Sequence, residues 1–215
     1  MLTQLRKHYS PSFWALNVAL AIGVSACSSP DKLEPQATPP AQYELTDVRY
    51  FLKPTDRVDT VTVKLKELSV QNLSNTLSTQ QVESSFDELV RTSQFEVDQV
   101  NTLPKEVKLD KFAVRVPQNW YGQNLFDYYA EPFPLSPDPQ QKPYGGYKNQ
   151  VMTIRVPAKS KININRQIDA YYLTCSFEGT IQNKTTGQRY PLTGKWTGLL
   201  RYNNTLIDLK QSPLP

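Results

Sequence analysis

The chain has 215 residues, with 24 basic and 20 acidic side chains and a formal net charge of +4. Residues 1–26 resemble an export signal that carries Arg6 and Lys7, so the mature protein of about 189 residues would be almost neutral, which argues against a nucleic-acid partner. The only histidine, His8, lies in the same segment. Its removal excludes His-based triads, His general bases and His metal sites, so we expect no enzyme, no cofactor and no metal.

The N-terminus has the three parts of a signal peptide. Arg6 and Lys7 precede an apolar run from Phe13 to Val24, which is too short to span a membrane as a helix. Val24-Ser25-Ala26-Cys27 follows and resembles the cleavage box of bacterial lipoproteins, in which the cysteine becomes the acylated first residue. An ordinary signal peptide with a free Cys27 is the alternative. Because Ser28 follows Cys27, the resemblance implies an outer-membrane lipoprotein, periplasmic or surface-exposed, attached through its N-terminal lipid.

Behind Cys27, the chain divides into a tether and one domain. Residues 27–42 are polar and rich in proline, which predicts a disordered spacer from the bilayer. Residues 43–215 are predicted to form a single β domain. With Cys27 acylated, Cys175 is the only thiol and no internal disulfide can form. Cys175 lies in an apolar, aromatic stretch without a histidine, which favours a small buried hydrophobe over a nucleophile.

The first half of the domain shows the two-residue period of strands. Val61, Val63 and Leu65 alternate with polar residues, and a phase change at Lys66-Glu67 predicts a bulge or a bend. Residues 71–81 are polar and fit either a turn or a strand exposed on both faces. Residues 82–97 fit one face of a helix as well as a strand, and the β-branched and aromatic residues at the end of this range favour the strand.

The middle of the chain changes composition twice. Residues 106–116 predict a strand with one phase slip, and residues 117–149 carry six prolines, which predict an irregular loop packed by its own rings. That loop is either a contact surface for a glycan, a receptor or a membrane interface, or a cover that buries its rings on the sheet. The candidate contact residues are Trp120, Tyr121, Phe126, Tyr128 and Tyr129. The acidic residues of the loop, Asp127, Glu131 and Asp138, match no metal-site or paired-carboxylate spacing.

Strand patterns return after the loop. Residues 151–156, 162–165, 168–182, 188–192 and 196–203 alternate between apolar and polar side chains, with a hairpin turn predicted at 183–187. Lys159, Lys161 and Arg166 are predicted on the solvent-exposed faces of these strands. No helix of convincing length appears. The sequence therefore predicts an all-β chain of long antiparallel strands.

Several of these segments resemble one family. Residues 156–164 read Val-Pro-Ala-Lys-Ser-Lys-Ile-Asn-Ile and precede an aromatic strand that ends in Phe177-Glu-Gly-Thr-Ile181. Upstream are Ser69-Val-Gln-Asn72, Ser85-Phe86 and Thr92-Ser-Gln-Phe95. Together these stretches, between about residues 60 and 182, resemble the aerolysin-like β-pore-forming toxins of the epsilon-toxin and mosquitocidal-toxin type. The resemblance implies an elongated fold of long twisted strands and a homo-oligomer that inserts a Ser/Thr-rich hairpin from each protomer into a membrane.

One interval departs from that pattern. The insertion hairpin of the family would correspond to residues 96–150, which hold only two Ser/Thr residues, against eleven in residues 59–93. Its return strand would run through the prolines, which cannot donate to a ladder. Two functions therefore stay open. The first is a lipid-anchored protein that oligomerises and inserts into membranes. The second is an outer-membrane binding module or assembly accessory that keeps the scaffold and has lost pore formation.

Overall fold

Extended strands dominate residues 42–214, the part of the chain that the computed structural model describes. The predicted export signal, Cys27 and nearly all of the predicted tether lie outside the described residues. Two short 3-10 turns, Val100–Thr102 and Leu109–Lys111, are the only helical elements within the described part. The strands are β1 Tyr43–Phe51, β2 Arg57–Asn72, β3 Ser78–Ser84, β4 Val90–Val97, β5 Ala113–Val114, β6 Pro117–Trp120, β7 Phe126–Tyr128, β8 Phe133–Pro134, β9 Gln140–Pro143, β10 Gln150–Val156, β11 Ser160–Asn183 and β12 Arg189–Pro213. The predicted all-β, antiparallel fold is confirmed.

The main sheet is organised around the 24 residues of β11. This strand pairs with β12 along its length, with β2 through its first part and with β1 through its last part. The order across the sheet is β1-β11-β12-β4-β9, with β2 beside β11. The sequence predicted two strands here, 162–165 and 168–182. The structure joins them, because Ile164, Arg166 and Ile168 keep one alternation from the first predicted strand into the second. The register shifts at Gln167/Asp169 and Tyr171/Tyr172 each place one extra residue in β12.

A bulge in β2 interrupts its pairing with β11, as predicted. Leu65 pairs with Arg166 and Leu68 with Ile164, so Lys66 and Glu67 together face a single residue of the partner strand. Side chains satisfy the backbone that the bulge takes out of the ladder. The Lys66 amide donates to Glu88 Oε1 at 2.8 Å, and the Lys66 carbonyl accepts from Arg166 Nη2 at 3.0 Å.

Arg166 is buried, which corrects the prediction that it lies on a solvent-exposed face. It is 3% exposed, because the alternation of β11 places it between Ile164 and Ile168 on the covered side of the sheet. Its guanidinium donates to the carbonyls of Lys66 and Ser85, both at 3.0 Å, and to the Ser84 hydroxyl. The side chain therefore supplies donors to carbonyls that have none from a ladder. Lys159 is exposed and Lys161 half-buried.

A second layer covers the first part of β11. Here β3 pairs with β10 in a separate two-stranded sheet, from Ser84 opposite Gln150 to Ser78 opposite Val156. The strand interpretation of residues 82–97 is confirmed at its two ends, by β3 and β4, but residues 85–89 between them form a turn. The polar stretch before it divides into the end of β2, a turn at 73–77 and the start of β3. The aliphatic cluster between this layer and β11, called here the ribbon core, consists of Val82, Ile154, Val156, Ile162 and Ile164.

The second part of β11 is covered differently. A large cluster, called here the head core, gathers rings and aliphatic side chains from β1, β4, β11, β12 and residues 98–149. Its largest fully buried members are Trp196, Phe95, Phe133 and Phe177. Between the two cores lies a third cluster of Leu65, Phe86, Leu89, Ile168, Ala170, Leu199 and Tyr202.

Residues 98–149, called here the aromatic segment, differ from their prediction in detail. The predicted strand 106–116 is wrong except for the two residues of β5. The phase slip, where the apolar residues Leu109 and Phe112 stand three positions apart instead of two, coincides with the 3-10 turn Leu109–Lys111. The three-residue period of that turn explains this spacing. The predicted loop 117–149 contains the short strands β6 to β9, packed by its own rings as expected. At the C-terminal end, β12 runs to Pro213, ten residues beyond its predicted end.

Candidate functional site

The aromatic segment is part of the head core. Val116, Phe133 and Leu135 are each 0% exposed. Backbone hydrogen bonds tie the segment together and to the sheet, since Leu135 N donates to Phe112 O at 2.9 Å and Phe95 N donates to Ser136 O at 2.9 Å. Burying each such side chain stabilises the fold by about 1.5–3 kcal/mol. Lifting the segment from the sheet would therefore cost several kcal/mol from these three side chains alone.

Two of the five predicted contact residues hold the segment in place instead of facing solvent. Phe126 packs edge-on against the Tyr50 ring, and Tyr129 donates from its hydroxyl to the Leu200 carbonyl at 2.7 Å. Burial raises the pKa of Tyr129. The Arg91 guanidinium lies 5.0 Å from the centre of the Tyr129 ring. Phe126 and Tyr129 are therefore core residues, and no local pattern distinguishes them from the exposed rings because all five belong to the same aromatic run.

The other three predicted residues are exposed on one hairpin. The aromatic hairpin, β6 and β7 with residues 121–125 between them, exposes Trp120, Tyr121 and Tyr128, and Tyr121 reaches 61%. Its turn has positive φ at three successive residues, 90° at Gly122, 46° at Gln123 and 63° at Asn124. Glycine adopts this conformation without strain, which explains Gly122 at the first position.

Hydrogen bonds fix the tip of the aromatic hairpin. Tyr121 and Leu125 are joined by a backbone hydrogen bond of 3.0 Å, and Leu52 N donates to Asn124 Oδ1 at 2.8 Å. The Tyr121 hydroxyl donates to Asp127 Oδ2 at 2.6 Å, which raises the pKa of Tyr121 because the bond stabilises the neutral phenol. The exposed rings are therefore held in position before any partner binds, which lowers the ordering cost of contact.

A cleft of about 440 Å³ adjoins the aromatic hairpin. Its lining residues are Arg49, Tyr50, Phe51, Asn124, Tyr128 and Glu178. Arg49 and Glu178 form an ion pair of 2.5 Å between β1 and β11. The cleft thus combines the face of a ring with a guanidinium, a carboxylate and an amide, which are the groups that hold a polyhydroxylated ligand by stacking and by hydrogen bonds. Sequence reasoning missed Arg49, Asn124 and Glu178, since they come from three distant segments.

The charged residues around Asp56 stabilise the fold and form no binding site. The buried Asp56 carboxylate accepts from Lys53 N at 2.8 Å, from Ser176 N at 2.9 Å and from the Lys195 ammonium. Burial acts to raise the pKa of Asp56, but these donors outweigh it and hold the pKa below its ordinary value. Lys195 Nζ also lies 3.1 Å from Ser176 Oγ. Since Ser176 is buried, this Ser-Lys pair faces no substrate and serves as a clip between β11, β12 and the turn after β1.

The acidic residues of the aromatic segment are not brought together. Asp127 accepts from Tyr121, whereas Glu131 accepts from Lys142 at 2.7 Å and from Arg91. Within residues 42–214, no group of three His, Cys, Asp or Glu residues is placed to hold a metal ion.

Cys175 is buried and burial raises its pKa, which confirms the prediction of a small buried hydrophobe. In the same range no helix is both long and apolar enough to cross a membrane.

Comparisons with known proteins find similar solved structures but no family. No known protein-family model matches the chain, and no curated protein matches it. Several solved structures do match the fold of the chain. The lamprey immune protein is 14% identical with a TM-score of 0.48, over 79% of this chain and 53% of its own, so the chain spans about half of its length. Parasporin-2, a Bacillus thuringiensis toxin that recognizes cancer cells, is 14% identical over 80% of this chain and 75% of its own, with a TM-score of 0.46.

A third similar structure is an aerolysin-like protein of Bombina maxima, 11% identical over 81% of this chain and 99% of its own, with a TM-score of 0.33. Among these neighbours, parasporin-2 is described as a toxin and the Bombina maxima protein as aerolysin-like, the terms in which the sequence resemblance was drawn. The likeness concerns the fold alone. At TM-scores of 0.48 and less it carries no further argument.

Proposed function

We propose that the protein is a non-enzymatic binding module on a toxin-like β scaffold, and that the aromatic hairpin and its cleft contact a saccharide at a cell surface. One observation carries the proposal. The aromatic segment occupies the interval that the family resemblance assigns to the insertion hairpin, and its side chains are built into the head core. A segment that supplies the core of the monomer is poorly suited to leave it for a membrane.

The location follows from the N-terminal pattern. Acylation at Cys27 and the proline-rich tether would hold the domain at the outer membrane of a Gram-negative cell. A domain displayed in this way needs a surface that faces outward and is ordered in advance. The exposed rings of Trp120, Tyr121 and Tyr128 meet that need.

Saccharide binding by the isolated domain tests this function. Residues 40–215 form one compact unit that contains all three clusters, so they can be expressed alone. We expect binding to immobilised bacterial and host glycans, lowered about tenfold or more in the triple variant W120A/Y121A/Y128A, since exposed Trp and Tyr anchors dominate such contacts. Leu206→Ala, an exposed residue on β12, is the matched control. Absence of binding on all surfaces, or equal loss in the control, would contradict the proposal.

A second function has one observation in its favour. Within the described part, residues 203–213 of β12 pair with β11 on one side only, and Leu206, Ile207 and Leu209 are exposed there. A free strand edge with exposed apolar side chains suits pairing with another copy. Oligomerisation followed by insertion would then proceed through this edge instead of the aromatic segment. Dye release from liposomes together with ring-shaped oligomers, abolished by Ile207→Lys, would favour this function over the binding module.

A further inference from the structure

The end of the molecule where β2 turns into β3 exposes two leucines. Leu73 is 71% exposed and Leu77 is 60% exposed, and they flank the turn between the two strands. An exposed leucine is ordinary when it stands singly. A pair on one short turn is a concentrated apolar surface that no described residue covers.

The turn is rigid although it lies at an end of the fold. The buried Asn72 side chain donates to Thr76 O at 2.7 Å and to Val156 O at 2.9 Å, and accepts from Ser74 N at 3.0 Å. A second turn, residues 157–159, is attached to the first because Lys159 N donates to Ser74 O at 3.1 Å. Residues 73–77 and 157–161 therefore form one ordered surface, called here the leucine tip.

The chain segments that lead to the leucine tip carry basic side chains and no acid, although Arg166 is buried and Lys210 pairs with Asp208 just outside them. Residues 68–82, 150–168 and 209–214 contain no Asp or Glu, whereas they contain Arg155, Lys159, Lys161, Arg166 and Lys210. Arg155 and Lys159 are exposed and Lys161 is half-buried. Within the described residues none of these three forms an ion pair. The chain as a whole has 20 acidic residues, so this end is set apart by its sign of charge.

We propose that the leucine tip docks into the interface of an anionic lipid bilayer. The two leucines would enter the boundary between headgroups and acyl chains, while Arg155, Lys159 and Lys161 lie against the phosphates. Exposed leucines and unpaired cations on one rigid surface match both layers of such an interface. The inference goes beyond saccharide binding, because it uses different residues at a different place in the fold.

Sedimentation with vesicles tests the proposal on the unit of residues 40–215, which lacks the N-terminal lipid. We expect binding to vesicles of phosphatidylcholine with phosphatidylglycerol and little binding to phosphatidylcholine alone. The double variant L73S/L77S is expected to weaken binding about tenfold or more, and K159Q/K161Q to weaken it about tenfold and flatten its dependence on salt. Retained binding in L73S/L77S would overturn the proposal.

Two control variants carry matched changes elsewhere. V61S/V100S removes two exposed apolar side chains outside the leucine tip and the aromatic hairpin, and K105Q/K108Q removes two exposed lysines. Both are expected to bind vesicles like the unchanged protein, and an equal loss in either would overturn the proposal. Binding to soluble dextran sulfate that competes with vesicles and ignores L73S/L77S would assign the surface to a polyanion and overturn it as well.

A probe at the tip reports insertion directly. Cys175 is buried and is the only thiol of residues 40–215, so Asn75→Cys can be labelled alone with an environment-sensitive dye. A blue shift on adding anionic vesicles is expected at this position and not at Lys105→Cys. No shift at Asn75→Cys, or equal shifts at both, contradicts docking through the leucine tip. Loss of saccharide binding alone leaves this result unchanged, so the two proposals fail separately.

Discussion

The two ends of β11 belong to one strand, but different elements cover them. At the end that includes Leu173 and Phe177, the long aromatic segment covers the sheet and forms the head core. At the end that begins with Ser160, only the two strands β3 and β10 cover it, and the ribbon core is aliphatic and small. Since stabilisation scales with the apolar area removed from water, the head carries more of the stability. The end with the ribbon core instead places turns and free strand edges at the surface, and these are the parts used by the proposed contacts with a membrane or with another copy.

The largest loss of stability is expected from a change in the head core. Trp196 is fully buried, packs edge-on against Tyr50 with ring centres 5.9 Å apart, and donates from Nε1 to Ser93 Oγ at 2.9 Å. Trp196→Ala should lower the free energy of unfolding by about 3–5 kcal/mol, because it leaves a large cavity and a buried hydroxyl without its donor. Urea unfolding followed by circular dichroism measures it. A loss below about 1 kcal/mol would mean that the head does not dominate stability.

A smaller loss of stability is expected at Arg166, which lies between the ribbon core and the third cluster. Arg166→Met keeps the length of the side chain but removes the donors to the carbonyls of Lys66 and Ser85. We expect a loss of about 2 kcal/mol, since each buried carbonyl left without a partner costs about 1–3 kcal/mol and the removal of a buried charge offsets part of that. The exposed Arg155→Met is the control and should stay within about 0.5 kcal/mol. Equal stability of both variants would show that water replaces the guanidinium at the bulge.

A pH-dependent loss of stability is expected at Asp56, which joins β11, β12 and the turn after β1. The pKa of Asp56 lies below its ordinary value of 3.8, so its contribution is complete above that value and disappears as the pH falls through the lower, folded-state pKa. Asp56→Asn should cost about 1–3 kcal/mol at pH 7, and the difference from the unchanged protein should shrink below about pH 4. Thermal unfolding between pH 2 and pH 7 measures it. A difference that stays constant over this range would exclude Asp56 as the titrating group.

The smallest effect on stability is expected at the exposed rings. W120A/Y121A changes side chains that contact solvent on the aromatic hairpin, so the free energy of unfolding should move by no more than about 0.5 kcal/mol. Phe126→Ala, on the same hairpin but in the core, should cost about 3–5 kcal/mol. Urea titration of both variants compares them directly. Similar losses would mean that the two exposed rings also belong to the head core.

Local patterns along the chain correctly predicted much of this fold. The alternation of Val61, Val63 and Leu65 and the phase change after them predicted β2 and its bulge, because both depend on neighbours within one strand. The buried state of Cys175 followed from its apolar surroundings. The pattern around Leu109–Lys111 predicts a strand where the structure has a 3-10 turn, because a single phase slip in a short stretch fits either structure.

Composition and local alternation were enough to predict the all-β class, the lack of any histidine after His8 and the aromatic character of residues 117–149. The division of the rings into core and surface required the folded chain, because Phe126 and Trp120 differ in what packs over them and not in their neighbours along the chain. The same holds for the burial of Arg166 and for the cleft that joins Arg49, Asn124 and Glu178. Burial and clefts depend on contacts between distant segments, whereas periodicity depends on adjacent residues.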